Sequence, residues 1–319
     1  MKEREGENQT VTEFILLGFG NLPEWQILFF LLFLVIYVLT VMANLLVVSL
    51  VLVDQHLHTP MYYFLWNLSC LEIGCSSAIL PRLLASLRTG DRSISVTGCL
   101  VQLYWLGFLV AAECRLLAAM SYDRYLAICQ PLHYAILMNG RLCVQLVAGS
   151  LLSSFVSLTT LISFMSQLAF CGPNEIDHFF CDLMPVIKLS CSNTSLVALG
   201  TLIFSSINTV LPLLLTLISY VFVISTILRI PSTAGKKKAF STCSSHLIVV
   251  MLFYGILITV YMLPNANALI APNKVFSVFY TVLTPLLNPL IYSLRNKDIK
   301  EAFGRAWQKC WTFLRVQRN

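Results

Sequence analysis

Charge is what this chain has least of. Only 11% of its 319 residues are Asp, Glu, Lys or Arg, whereas 57% are hydrophobic and the mean hydropathy is +0.78. A water-facing surface carries roughly twice that charge, which excludes an ordinary soluble protein. A glycine-rich phosphate loop and a convincing nucleophile are also missing. His56, His58, His133 and His246 fall in separate segments near one boundary, with no carboxylate constellation to make chemistry. His178-Phe-Phe-Cys181 sets two ligand types three apart, but a bridged Cys181 has no thiolate to give a metal. No enzyme, metal or cofactor is therefore expected. The strict alternation of an outer-membrane barrel is absent, and so are the matched interruptions in two halves that mark many transporters.

Long apolar runs fill the space left by charge. Seven spans can be drawn at 25–53, 60–80, 98–122, 142–162, 196–228, 240–263 and 275–294, each near or above the roughly 20 residues a helix needs to cross hydrocarbon. The fold expected is all-α: a seven-transmembrane bundle over 25–294, preceded by an outer segment 1–24 and followed by an inner segment 295–319. In that last segment Ile299, Ala302, Phe303, Ala306, Trp307 and Trp311 recur at three and four among basic residues, the stripe of an amphipathic helix lying on the inner leaflet.

Basic residues set the orientation. With the C-terminus inside, inner segments hold thirteen Lys or Arg and outer segments seven, with Arg115 inside the third span. The net charge of +6 then needs no nucleic acid, because Lys236, Lys237, Lys238 and the tail face anionic lipid or an intracellular partner. Asn8-Gln-Thr10 becomes an outer glycosylation sequon, with Asn193-Thr-Ser195 a second, less accessible one. Cys99, Cys171, Cys181 and Cys191 fall on the oxidising side and allow three pairings. Spacing does not choose among them. The favoured set is Cys99–Cys181, which would draw the long outer loop over the bundle, with Cys171–Cys191 as a staple within the loop.

Several polar residues interrupt the spans. Met120-Ser-Tyr-Asp-Arg-Tyr125 ends the third span on an adjacent acid and base, so Arg124 sits at the membrane surface with Asp123 beside it to hold and partly neutralise it. Asn44 reads as interhelical glue, whereas Asn288-Pro289, followed by Tyr292, reads as a hinge; Pro212 should loosen the fifth span. Glu72 and Glu113 are buried acids, and Arg115 points away from Glu113 on the same helix with no evident partner.

These strings resemble rhodopsin-like G-protein-coupled receptors. Pro60-Met-Tyr-Tyr-Phe-Leu65, Met120 to Cys129, Pro131-Leu-His-Tyr134, Phe180-Cys-Asp182, Ser219-Tyr220, Lys238 to His246 and Pro285 to Asn296 are similar, more narrowly, to the olfactory receptors, of the tetrapod type. Departures from the usual pattern are Ala43 before Asn44, Ser121, Leu126 and Arg115, while Glu113 is an acid that olfactory receptors often carry at that place. The resemblance implies a volatile-odorant pocket formed by Leu106, Gly107, Val110, Ala111, Asn208, Tyr254, Tyr261, Val278 and Thr281. No ligand-facing acid is expected, which favours a small, neutral, mostly hydrophobic molecule and argues against an amine. The inner machinery it implies is Asp123, Arg124, Tyr125, Tyr220, Lys236, Lys237, Lys238, Asn288, Pro289 and Tyr292. The partners implied are a stimulatory olfactory G protein and membrane lipid, and the place is the plasma membrane of olfactory cilia. A rhodopsin-like receptor for a small metabolite is the alternative, with a transporter well behind.

Overall fold

The computed structural model describes residues 11–20, 23–262 and 270–316. Asn8 lies outside the described residues, as do the side chains of Lys238, Tyr261 and Cys310. Helix α1 spans Pro23–Val53, α2 Pro60–Thr89, α3 Val96–Cys129, α4 Pro131–Leu137, α5 Gly140–Met165, α6 Leu183–Lys188, α7 Ser195–Ser205, α8 Leu211–Arg229, α9 Thr233–Met262, α10 Ile270–Val278, α11 Thr284–Arg295 and α12 Lys297–Val316. Helices α7 and α8 are one spanning rod, Ser195–Arg229, joined by the π-helical stretch Ser206–Val210; α10 and α11 are joined likewise by Phe279–Leu283. Among the described residues, six helices are long and apolar enough to cross a membrane, and α9 supplies a shorter apolar stretch, Cys243–Thr259. Together they form a seven-helix bundle.

Local chemistry sets the helix ends. Pro60 stands in the first turn of α2, where its missing N–H costs nothing, and Gly90 closes that helix at φ +76°, a left-handed conformation open to glycine. The Ser95 hydroxyl accepts from Gly98 N–H to start α3, and Asn139 Oδ1 accepts from Leu142 N–H at 2.9 Å to start α5. The wide turn Ser206–Val210 comes directly before Pro212, where the ring disrupts the regular ladder.

The core runs along α2, α3 and α9, with Phe64, Leu68, Leu117, Met120, Val249 and Phe253 at 1% exposure or less. Outward faces of α1, α5 and α8, including Leu31, Val35, Phe155, Leu214 and Val221, remain exposed, as a lipid-contacting surface requires. At the Arg124 end, called inner from the charge count above, α12 tucks Ile299 and Ala302 inward and leaves Phe303 and Trp307 outward. Tyr62 donates to Asn296 and Asp298, and Arg305 pairs with Asp54 Oδ2 at 2.7 Å, so α12 is pinned to α2 and to the turn after α1.

The outer end carries something the helical periodicity did not announce. Strands β1 (Glu13–Leu16), β2 (Ser93–Ser95) and β3 (Glu175–Ile176) form a small sheet in the order β2-β1-β3, antiparallel on one side of β1 and parallel on the other. The segment before α1 is thus bonded to the two outer loops. Phe14 is fully buried against Phe170, and Phe19 stacks on Phe179 at 5.3 Å.

Candidate functional site

Two polar constructions tie the bundle together. Pro289 has no N–H, so the carbonyl four residues earlier, that of Pro285, loses its helical partner. Asn44 Nδ2 supplies the missing donor at 2.9 Å while also bonding Thr40 O, and Asn44 thereby bridges α1 to the weakened turn of α11. One residue before the proline, Asn288 Nδ2 donates to Glu72 on α2, and Glu113 on α3 lies beside Glu72. Asn44 Oδ1, Glu72 Oε2, Glu113 Oε1, Asn288 Oδ1 and the Tyr292 hydroxyl are buried without a partner among the described residues.

At the inner end Asp123 is fully buried and Arg124 nearly so. The Arg124 guanidinium donates to Asp123 Oδ2, from Nε at 3.0 Å and also from Nη2. Tyr134, on α4, donates to the other carboxylate oxygen at 2.8 Å. Burial and the Asp123 charge hold its phenol well above its usual pKa, so it remains a donor. Tyr134 enters the sequence reading only as part of a family string, because a hydroxyl eleven residues after an acid carries no local signal of contact. Tyr220 and His246 Nδ1 are hydrogen-bonded at 2.6 Å, linking α8 to α9. Tyr125 packs on Phe222, ring centroids 5.9 Å apart, and Tyr292 is buried near the same end. Lys237 is exposed and Lys236 half-buried on the first turns of α9.

The outer end holds a cavity of about 90 Å³ beneath the loop that the Cys99–Cys181 bridge anchors to α3. A second bridge joins Cys171 to Cys191 within that loop. Gln102, one turn below Cys99, accepts from Cys181 N–H and donates to Ala78 O, fixing the loop above the cavity. Leu106, Gly107, Val110, Ala111 and Asn208 all line it. Asn208 sits in the π stretch, where its Nδ2 bonds Phe204 O and its Oδ1 accepts from Ser157.

Three of the remaining candidates stand elsewhere. Tyr254 is 2% exposed and donates to Cys114 O at 2.8 Å, so its hydroxyl is spent on α3 below the cavity; Leu257, one turn higher, lines it instead. Val278 and Thr281 do not line the cavity; Tyr280, within the π stretch Phe279–Leu283, stands on its wall instead. Thr281 bonds back to Ser277 O. Asp182, next to the bridged Cys181, stands at the rim, where its Oδ1 accepts from Leu183 N–H. Leu158 and Leu161 of α5 complete the wall. A stripe of Leu103, Leu106, Val110 and Cys114 at three- and four-residue spacing was a readable signal for α3, whereas nothing local in the sequence marks the α5 contribution.

The outer loop is latched to α10. His178, 5% exposed, hydrogen-bonds Ser277 through Nε2 at 3.2 Å, and Lys274 pairs with Asp177. Burial first, and the Lys274 charge second, pull the His178 pKa down to about 4. The neutral ring is the folded form, so its contribution is present above the unfolded value near 6.5 and is lost as pH falls from there toward about 4. We expect the purified receptor to lose up to about 3 kcal/mol between pH 7 and 4 through this ring. Melting curves across that range should show a steeper acid loss for the wild type than for His178→Gln. Equal slopes would remove His178 from the loop's support.

Comparison with known proteins follows the same features. A family model described as olfactory receptor matches residues 33–309. Human olfactory receptor 11L1 is 52% identical over 94% of this chain and 93% of its own length. Human olfactory receptor 6N1 is 48% identical over 94% and 96%, and mouse olfactory receptor 5AP2 46% identical over 93% and 94%. The family is one of membrane receptors and not of enzymes. A seven-helix membrane protein matched along nearly its whole length at this identity belongs to the olfactory receptor family.

Proposed function

We propose that this receptor binds a small, mostly hydrophobic volatile in the cavity under the Cys99–Cys181 loop and activates a stimulatory olfactory G protein, raising cyclic AMP. One observation carries the reading: an apolar cavity with isolated polar groups, Asn208, Thr209 and Asp182, lies at one end of α3, and the Asp123–Arg124 pair lies at the other. Apolar walls supply affinity and the few polar groups supply orientation. A ligand changes the inner end only by binding its two arrangements unequally. Contact with Asn208 and Tyr280, both in π stretches next to prolines, gives it purchase on the two helices with loosened ladders. The active arrangement frees Arg124 from Asp123 and moves α9 outward for the C-terminal helix of the G protein, with Tyr220, Tyr125 and Tyr292 bracing the cleft and Lys236 to Lys238 facing partner or lipid. Asn8 carries the glycan, and the receptor works at the plasma membrane of olfactory cilia.

The test is a cyclic-AMP screen of a broad volatile panel in cells with the receptor at their surface, followed by Gly107→Leu. Even a Cβ at Gly107 would meet Leu158 Cδ1 at 2.9 Å, so a leucine there both displaces Leu158 and fills the cavity. The expected result is a more than tenfold rise in the effective odorant concentration at unchanged surface display, whereas Tyr254→Phe shifts it little. An unchanged response in Gly107→Leu would place the odorant elsewhere.

A further inference from the structure

Arg115 is a charge in the middle of a membrane helix. It lies nine residues deeper along α3 than Arg124, about 13 Å from the inner end at 1.5 Å per residue. That is too far for the side chain to snorkel out to the headgroups. Its Nη1 donates to the Ser154 hydroxyl at 2.6 Å and to Ala111 O at 3.3 Å, while Nε and Nη2 bond no described residue. Among the described residues none of the ion pairs includes it. Glu113, two residues away, points to the opposite side beside Glu72. An uncompensated guanidinium in hydrocarbon is costly and calls for an anion.

The groove that Arg115 lines is shaped for one. It opens between α3, α5 and α8 on the lipid-facing side of the bundle, separate from the odorant cavity, with a volume of about 660 Å³. Ser150 and Ser153 stand with Arg115 on its wall, and Leu211, Leu215, Ile218 and Phe222 form an apolar track that starts level with Arg115 and runs past Ser219 toward the inner leaflet. Leu211 to Phe222 spans eleven residues of helix, about 16 Å. One polar end and a long apolar wall describe an amphiphile.

We propose that this groove binds a fatty acid, its carboxylate held by the Arg115 guanidinium and its alkyl chain laid along α8. The planar fork of arginine matches a carboxylate with paired N–H donors, and the site supplies the positive charge the ligand lacks. A phospholipid fits less well, because a phosphate at this depth would draw its glycerol and ester groups into hydrocarbon as well. Entry is lateral, from the bilayer. Because Pro212 and Ile207 line the groove while Asn208 lines the odorant cavity, the two sites meet at the π stretch of the fifth span.

The experiment uses the full-length receptor in nanodiscs of neutral phosphatidylcholine and a diazirine-bearing fatty acid, with labelled peptides located by mass spectrometry. Saturable labelling within Leu211–Phe222 is expected, competed by decanoate at concentrations at which decanol has no effect. Arg115→Met should reduce it at least tenfold and Arg115→Lys by less. Ser153→Trp, which keeps the charge and obstructs an exposed part of the groove, should also block it, and this guards against a folding defect in the arginine variants. Equal labelling of wild type and Arg115→Met, or equal competition by decanol, would overturn the proposal. Displacement by phosphatidate as effective as by decanoate would assign the groove to phospholipid and overturn it too. None of these readouts depends on an odorant being found.

Discussion

Replacing Arg124 with alanine should abolish agonist-driven cyclic-AMP output while leaving the receptor at the cell surface and its odorant-dependent stabilisation intact. Truncating one partner of a buried ion pair commonly costs about 3–5 kcal/mol, because the other charge is left alone. Here the loss is softened: Tyr134 still donates to Asp123, and the pair lies at the end of α3, where water can reach the carboxylate once the arginine is gone. Under the proposed mechanism the guanidinium is the group presented to the G protein, and no neighbouring side chain replaces it. Tyr134→Phe is the complementary change. It removes one hydrogen bond to an ionised group, worth about 1.5–3 kcal/mol, from the arrangement in which Asp123 is engaged, and leaves Arg124 in place. Signalling without agonist should therefore rise by at least about tenfold in Tyr134→Phe, as expected when an equilibrium is tilted by the lower of those figures. Normal agonist signalling in Arg124→Ala would refute the role given to the pair.

The parts of this molecule that could be read in advance were those written in local pattern. Seven apolar runs, the basic asymmetry and the stripe Ile299, Ala302, Phe303, Ala306 each state their own environment, so the spanning helices and α12 were legible from composition and period alone. Asp123 and Arg124 were legible for the same reason, being adjacent. What failed was anything that depends on helical phase or on distant partners. No periodicity count anticipates that Tyr280, within the π stretch Phe279–Leu283, stands on the cavity wall in place of Thr281. Tyr254 was expected at the pocket from the resemblance, and its hydroxyl donates to Cys114 O below the cavity, a partner that no count of depth names. The β1 strand was invisible because four residues of Glu-Phe-Ile-Leu have meaning only once the loops carrying β2 and β3 are beside them. Asn44 shows the middle case. Its burial was readable and its role as glue was expected, but the specific debt it settles, the Pro285 carbonyl orphaned by Pro289, requires knowing that α1 lies against α11.

Cys99→Ser and Cys181→Ser should each reduce surface receptor to a small fraction of wild type, and the double variant should be no worse than either. The bridge closes 82 residues of chain, for which loop-closure entropy alone would predict about 4.5 kcal/mol, against about 3 for the 20 residues between Cys171 and Cys191. Both figures are upper limits, because spanning helices stay inserted when tertiary contacts are lost and the chain between them is never a free coil. That correction does not apply evenly. The shorter bridge staples a loop to itself, where serine leaves the Phe170 to Ser190 pairing and the Ser190 bond to Ala169 O to hold the ends together. The longer one is the covalent tie between α3 and the loop over the cavity, and with it go the position of Gln102 against Cys181 N–H, the placement of Asp182 at the rim and the seat of Phe180 and His178. Cys171→Ser should therefore cost less than Cys99→Ser in surface display and should leave odorant response largely intact. Two residues that act only as one bond must give the same loss singly and together, so a clearly additive double variant would mean that Cys99 and Cys181 serve separate roles.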